Sequence, residues 1–161
     1  MVITPTWNVV AFNRLAEIIF EFEGARGPYP KNQLWRGFMD PSRRRLYIDW
    51  ELTMRNVVGI FRVNYASHMG EPAFVRLIDE LSAKSDDFVR IWNDRETKPI
   101  NPFILRLQHP RLGLLALHSV RFPVDRGAGA LMIMAPPSDA ATAANLLRAT
   151  AAGERGDRVS P

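Results

Sequence analysis

Residues 50–67 set the strongest constraint on the fold, because they carry apolar side chains on two sides of one helix. Trp50, Met54, Val57, Val58, Phe61 and Tyr65 follow one another by threes and fours, the spacing of a single helical face. Leu52, Ile60 and Val63 fall near the opposite side of the same wheel. A helix with this pattern needs cover on both faces and belongs at the centre of a domain.

The flanking sequence supplies the cover. Trp7–Phe12 is short, aromatic and β-branched, and reads as a strand. Asn13 caps a helix from Arg14 to about Phe22, with Leu15, Ile18, Ile19 and Phe22 on one face. A Gly-Pro loop follows over residues 24–30. Asn32 caps a helix through Phe38, and Asp40-Pro41 opens the next, with proline where its missing N–H costs nothing. Beyond the central helix, residues 71–84 turn Phe74, Leu77, Ile78 and Leu81 inward. Ser85 then caps a helix to Asn93 that carries Phe88, Ile91 and Trp92.

From Phe103 the period changes to two. Phe103, Leu105 and Leu107 alternate with Ile104, Arg106 and Gln108, and His109–Gly113 makes a turn. A strand runs from Leu114 to Phe122, a loop over 123–129, and an uncharged, Met-rich strand from Ala130 to Ala135 is placed centrally in the sheet. Pro136-Pro137-Ser138 ends it, and a last helix runs from Asp139 to about Ala151. Short links make the late strands antiparallel, and the first strand must join the same sheet. The fold is therefore expected to be α+β, with helices gathered on one face of an antiparallel sheet. One domain over residues 1–152 is expected, with an unstructured tail at 153–161.

Several function classes find no support. The chain has no cysteine, which removes disulfides, thiolate metal sites and cysteine nucleophiles, and fits a cytoplasmic setting. No segment has the pattern of a secretion leader, and no run reaches the ~18 apolar residues of a membrane span. His68, His109 and His118 form no pair with metal spacing. There is no Gly-rich phosphate loop and no nucleophile elbow, so neither a cofactor nor an enzyme is expected. Asp79-Glu80 and Asp86-Asp87 are helix neighbours that do not face each other.

The net charge is +4, but the arginines are scattered. The densest group, Arg43-Arg44-Arg45, reads as a solvated helix end beside Asp40 and Asp49, since a nucleic-acid footprint needs a continuous patch. Residues 71–93 have the outline of a helix-turn-helix. Their second helix opens on two acids that repel phosphate, and offers mainly Arg90 and Asn93 as base readers.

Four motifs, in order, carry a family resemblance. Phe38, then Asp40-Pro41 through Arg44, Leu46-Tyr47, Asp49-Trp50-Glu51 and Arg55, resembles the signature F-x-D-P-x-x-R-x-L-Y-x-D-W-E-x-x-x-R of the MmyB-like transcription-regulator ligand-binding domain. Trp7, Val9-Val10-Ala11 and Asn13 match its opening W-x-V-V-A-x-N. Ser85, Phe88 and Ile91-Trp92 resemble its S-x-x-F-x-x-L-W segment, and His109-Pro110 with Gly113 its H-P-x-x-G turn. The resemblance spans about residues 5–150 and implies a PAS-like sensor domain of an XRE-type regulator, whose ligands are proposed to be long-chain fatty acids or similar lipophiles. In that family DNA is bound by a separate helix-turn-helix domain, which is not found in this sequence. Two further departures are Arg95-Glu96, where the family often has His-Asp, and a strand after Gly113 about two residues shorter than usual.

A lipophile needs a concave apolar lining. The resemblance points to Trp50, Met54, Val58, Phe61 and Tyr65 of the central helix, Trp92, and Phe103, Leu105, Met132 and Met134 of the sheet as ligand-binding residues. Arg55, with Arg62 on the same flank, is a candidate for a fatty-acid carboxylate, although a surface salt bridge with a nearby Glu or Asp is the favoured reading of both. The same residues also suit a plain packed core, and the two-sided helix or the bare sheet face would then serve homodimerisation.

Overall fold

The computed structural model describes residues 1–94, 96–100, 102–124 and 131–156, with side chains to residue 151. In chain order the elements are β1 (Val2–Ile3), β2 (Val9–Ala11), α1 (Arg14–Phe20), α2 (Gln33–Met39), α3 (Pro41–Leu46), α4 (Trp50–Ser67), α5 (Pro72–Lys84), α6 (Asp86–Asn93), β3 (Phe103–His109), β4 (Gly113–Pro123), β5 (Leu131–Met134) and α7 (Ala140–Gly156). The five strands form one sheet in the order β2-β1-β5-β4-β3, antiparallel at every pairing. The fold is α+β, as the strand spacing predicts, and β5 takes the central place.

Local chemistry sets the element ends. Asn13 accepts from Ala16 N (2.9 Å), Asn32 from Trp35 N (2.8 Å), Asp40 from Ser42 N (2.9 Å) and Ser85 from Phe88 N (3.1 Å), each meeting a donor that helix geometry leaves open. Helix α1 stops at Phe20, two residues short of the sequence-based end. Glu21 there adopts a left-handed conformation (φ 45°), and the Glu17 carboxylate accepts from Phe22 N (2.9 Å). Strand β1 is too short to leave a periodic signal. Trp7, read from sequence as the start of a strand, instead sits in a turn with φ 67°. Helix α7 runs on to Gly156, into the segment expected as tail. Arg95, most of the loop at 123–129, Ala130 and residues 157–161 lie outside the described residues.

Helix α4 is central. Its buried positions sweep through Trp50, Thr53, Met54, Asn56, Val58, Gly59, Ile60 and Phe61. One side meets α2 and α6, and the other faces the sheet. The second apolar side is therefore real but differently composed. Ile60 is buried, whereas Leu52 and Val63 are 45% and 58% exposed. Thr53, Asn56 and Val57 face the sheet beside Ile60. Gly59 permits a close crossing, since a Cβ there would lie 2.7 Å from the Lys98 and Pro99 backbone. The outer sheet edges are occupied by other parts of the chain: Tyr47 bridges Leu107 on β3, and Val9 N donates to Lys31 O (3.0 Å) beside β2.

Candidate functional site

Between α4 and the inner face of the sheet lies a cavity of about 60 Å³. Its apolar wall comes from Met54, Val57 and Ile60 on the helix and Phe103, Leu105 and Ile133 on the sheet, with Phe20 and Tyr47 at its margin. Of the residues that sequence marks for the ligand, Met54, Phe103 and Leu105 share this space.

The others lie elsewhere. Trp50, Val58, Phe61, Tyr65 and Trp92 are not on the cavity wall. Phe61 lies 5.3 Å from Phe74 and 5.9 Å from Trp92, Tyr65 lies 5.8 Å from Phe74, and Trp50 meets Phe38 edge-on at 5.7 Å. These rings join α4 to α2, α5 and α6. Met132 and Met134 are 39% and 50% exposed on the outer face of the sheet. The reason is the pleat. Met132 is paired with Phe122 and Met134 with Val120 on that face, while Leu131 and Ile133 turn inward. A run that is apolar at every position, Leu131–Met134, has no alternation from which its facing could be read.

The polar groups on the cavity wall are unusual. Trp7 and Gln33 are 4% and 6% exposed, and among the described residues neither the indole Nε1 nor the Gln33 amide nitrogen has a hydrogen-bond partner. The two residues are neighbours, since Gln33 N donates to Trp7 O (2.9 Å). Arg121, half-buried on β4, also lines the cavity, and among the described residues no acidic one does. Burial pushes its guanidinium pKa down. Trp7 stands in a sequence motif, but nothing in the sequence marks Trp7, Gln33 or Arg121 for a ligand. The available signal was parity in β4, where Leu115, Leu117, Ser119 and Arg121 share the inner face.

The arginines proposed from sequence are committed to the protein. Arg55 pairs with Glu51 (3.0 Å) and Asp94, and donates to Thr97 Oγ1 (3.2 Å). Arg62 donates to the carbonyls of Asp94 (2.9 Å), Ile91 (3.1 Å), Thr97 (3.2 Å) and Trp92. Both clasp the C-terminal end of α6 to α4. Arg90 grips Glu51 through two bonds of 2.7 Å and also takes Asp87 (2.9 Å), so its guanidinium is engaged within the domain rather than offered to bases. Arg43 is 2% exposed and donates to Phe20 O, which replaces the expected solvated position with a buried one. His109 likewise serves the fold: its Nε2 meets Ile18 O (3.0 Å), and its Nδ1 accepts from Arg111 N and Leu112 N (3.2 and 3.1 Å).

The long sequence motif thus describes a frame around the cavity. Arg44 lies over the Trp50 ring (4.0 Å) and reaches Asp87 (2.7 Å), Trp50 Nε1 donates to Gly37 O (2.9 Å), and Asp49 pairs with Arg106 (2.6 Å). Glu51 of the motif and the carboxylates of α6 and its C-cap give this frame a pH signature. Hydrogen bonds from Arg90 hold the Glu51 carboxyl below its usual range, those from Arg90 and Arg44 do the same to Asp87, and Arg55 does so to Asp94. Carboxylates depressed in the folded state contribute stability above their unfolded pKa, about 4, and lose it as pH falls through the lower folded value. We expect a urea midpoint that drops below about pH 4. Glu51→Gln should lower the midpoint at neutral pH and flatten that acid limb; an unaltered acid slope would show that the network contributes nothing.

Among the described residues no group of three or more His, Cys, Asp or Glu is placed to hold a metal, and no helix is long and apolar enough to cross a membrane. No curated protein matches the chain. The MmyB-like transcription regulator ligand binding domain, as a family profile, matches residues 1–149. With four ordered motifs, an α+β fold built around one two-sided helix and a lined cavity beneath it, the chain belongs to the MmyB-like transcription regulator ligand binding domain family.

Proposed function

We propose that this domain senses an elongated lipophile, a fatty acid or a similar molecule, taken up between α4 and the inner face of the sheet. The observation that supports it is the cavity itself, apolar along Met54, Val57, Ile60, Phe103 and Leu105, with a few unpartnered donors. An apolar lining with a few placed polar groups is the usual form of a small-molecule site. The antiparallel sheet with helices on one face agrees with the PAS-like sensor that the motifs suggest. On this reading the domain works in the cytoplasm and leaves DNA binding to a separate helix-turn-helix domain.

The volume gives the proposal a mechanism. Drug-sized ligands occupy about 300–1,000 Å³, well above the 60 Å³ of this conformation. Uptake must therefore widen the layer between α4 and the sheet. Met54, unbranched and polarizable, is suited to re-packing there. Helix α4 is clasped to α6 by Arg55 and Arg62, so a displaced α4 carries α6 with it. Native mass spectrometry of protein purified from cells, followed by lipid extraction, is expected to find a bound acyl chain. Added decanoate at 100 times its Kd should raise folding stability by about 2.7 kcal/mol.

A second reading, a dimerisation module without a ligand, is favoured by the outer sheet face. Ile104, Val120, Phe122, Met132 and Met134 are all exposed there. A concentration-independent dimer by light scattering, together with no extractable lipid and no decanoate stabilisation, would select it.

A further inference from the structure

We infer that Trp7, Gln33 and Arg121 form a head-group corner that selects a carboxylate, so that the ligand is an anionic amphiphile and not a neutral lipophile. The inference rests on the ligand-binding reading above and specifies its chemistry. Two buried N–H donors, the Trp7 indole and the Gln33 amide, have no partner among the described residues, and both residues line the cavity. A buried donor left unmade costs about 1–3 kcal/mol, and native interiors satisfy the great majority of such groups. Two of them on neighbouring residues of one wall mark a place where an acceptor is bound from outside the chain.

The third member sets the charge. Arg121 faces the same cavity with no ion pair or hydrogen bond to a described residue, and no Asp or Glu among the described residues lines the wall. Asn56 Oδ1, on the same wall, already accepts from Ile100 N (2.7 Å). Serine, threonine and tyrosine hydroxyls on the wall can donate or accept, so they do not oppose an anion. A guanidinium offers a carboxylate two parallel, charge-assisted bonds, which a neutral ester oxygen cannot match. Trp7 also holds a left-handed backbone (φ 67°), a conformation that is an outlier for a bulky residue. Its carbonyl accepts from Gln33 N (2.9 Å), which ties the two residues together at the turn leading to β2.

The corner differs in origin from the arginines that sequence singles out. Arg55 and Arg62 lie on the far flank of α4 and are occupied by α6 and the segment after it. Arg121 comes from the sheet, at an inward position of β4 opposite Ile133.

Calorimetric titration with decanoate, methyl decanoate and decylamine tests this. The unaltered protein should bind decanoate at least about tenfold more tightly than the other two, the range for a charged hydrogen bond. Arg121→Met should erase that preference to within about twofold. Arg121→Met and Gln33→Leu should each melt at or above the temperature of the unaltered protein, because each removes an unpaired polar group from a partly or fully buried place; a purely structural role predicts a lower melting temperature. Equal binding of decanoate and its methyl ester would overturn the corner while leaving a lipophile site standing. Binding of none of the three would overturn both the corner and the site.

Discussion

Trp50→Ala is expected to lower folding stability by about 3–5 kcal/mol, the range for emptying a buried large aromatic site. Trp50 is 7% exposed and joins three elements. Its ring packs edge-on against Phe38 of α2, lies under Arg44 of α3, and its Nε1 donates to Gly37 O. Trp50→Phe refills most of the volume but strands that carbonyl, and is expected to cost about 1–3 kcal/mol. Urea unfolding measures both. The Phe variant should bind decanoate as the unaltered protein does, because Trp50 is not on the cavity wall. A large affinity loss without a stability loss would reassign Trp50 to the ligand.

Arg62→Ala is the second large effect. The guanidinium bonds the carbonyls of Ile91, Trp92, Asp94 and Thr97, of which the first two belong to the last turn of α6. These are acceptors that helix geometry leaves open. Their loss is expected to cost about 2–3 kcal/mol, as for hydrogen bonds to a charged group. Amide hydrogen exchange should quicken in α6 before it does in the sheet. Arg62→Lys should rescue only part of the loss, since an ammonium is a point charge rather than a planar fork. Arg55→Ala should cost less, because its ion pairs are part-exposed and screened by solvent. Unchanged exchange in α6 would deny Arg62 its clasp.

What could be read from the sequence follows from where periodicity was strong. Helix α4 announced its central place through its length and two-sided pattern, and Asn13, Asn32, Asp40 and Ser85 named their helix starts through capping chemistry. Strand β3 showed its inner face because Arg106 and Gln108 alternate with Phe103, Leu105 and Leu107. The same logic failed for β5, whose four residues are all apolar, and Met132 and Met134 were therefore drawn to the wrong side. Burial of a charged residue is equally invisible to pattern: Arg43 and Arg45 read alike, yet Arg43 points into the base of α1 and Arg45 is exposed. The salt bridge that sequence offers as the other reading of Arg55 is there, with Glu51 four residues away, but Asp94 and the carbonyls from Ile91 onward that complete the holding of Arg55 and Arg62 are about thirty or more residues away in sequence. Trp7 and Gln33 could be seen as a motif residue and a helix start, but only the fold brings their unpartnered donors to one wall.

The pairing of β1 with β5 has a consequence for how the chain is made. Met1 and Ile133, 132 residues apart, exchange bonds across that ladder. At about 5–20 residues per second, synthesis leaves β1 without its neighbour on that side for on the order of ten seconds. Helices α2 to α6 meet their partners as they emerge, whereas the centre of the sheet, and with it one wall of the cavity, can be completed only after the penultimate element has left the ribosome. Contacts this distant in sequence are slow to form, so refolding from urea should show early helical signal and a later phase in which the cavity closes and decanoate first binds.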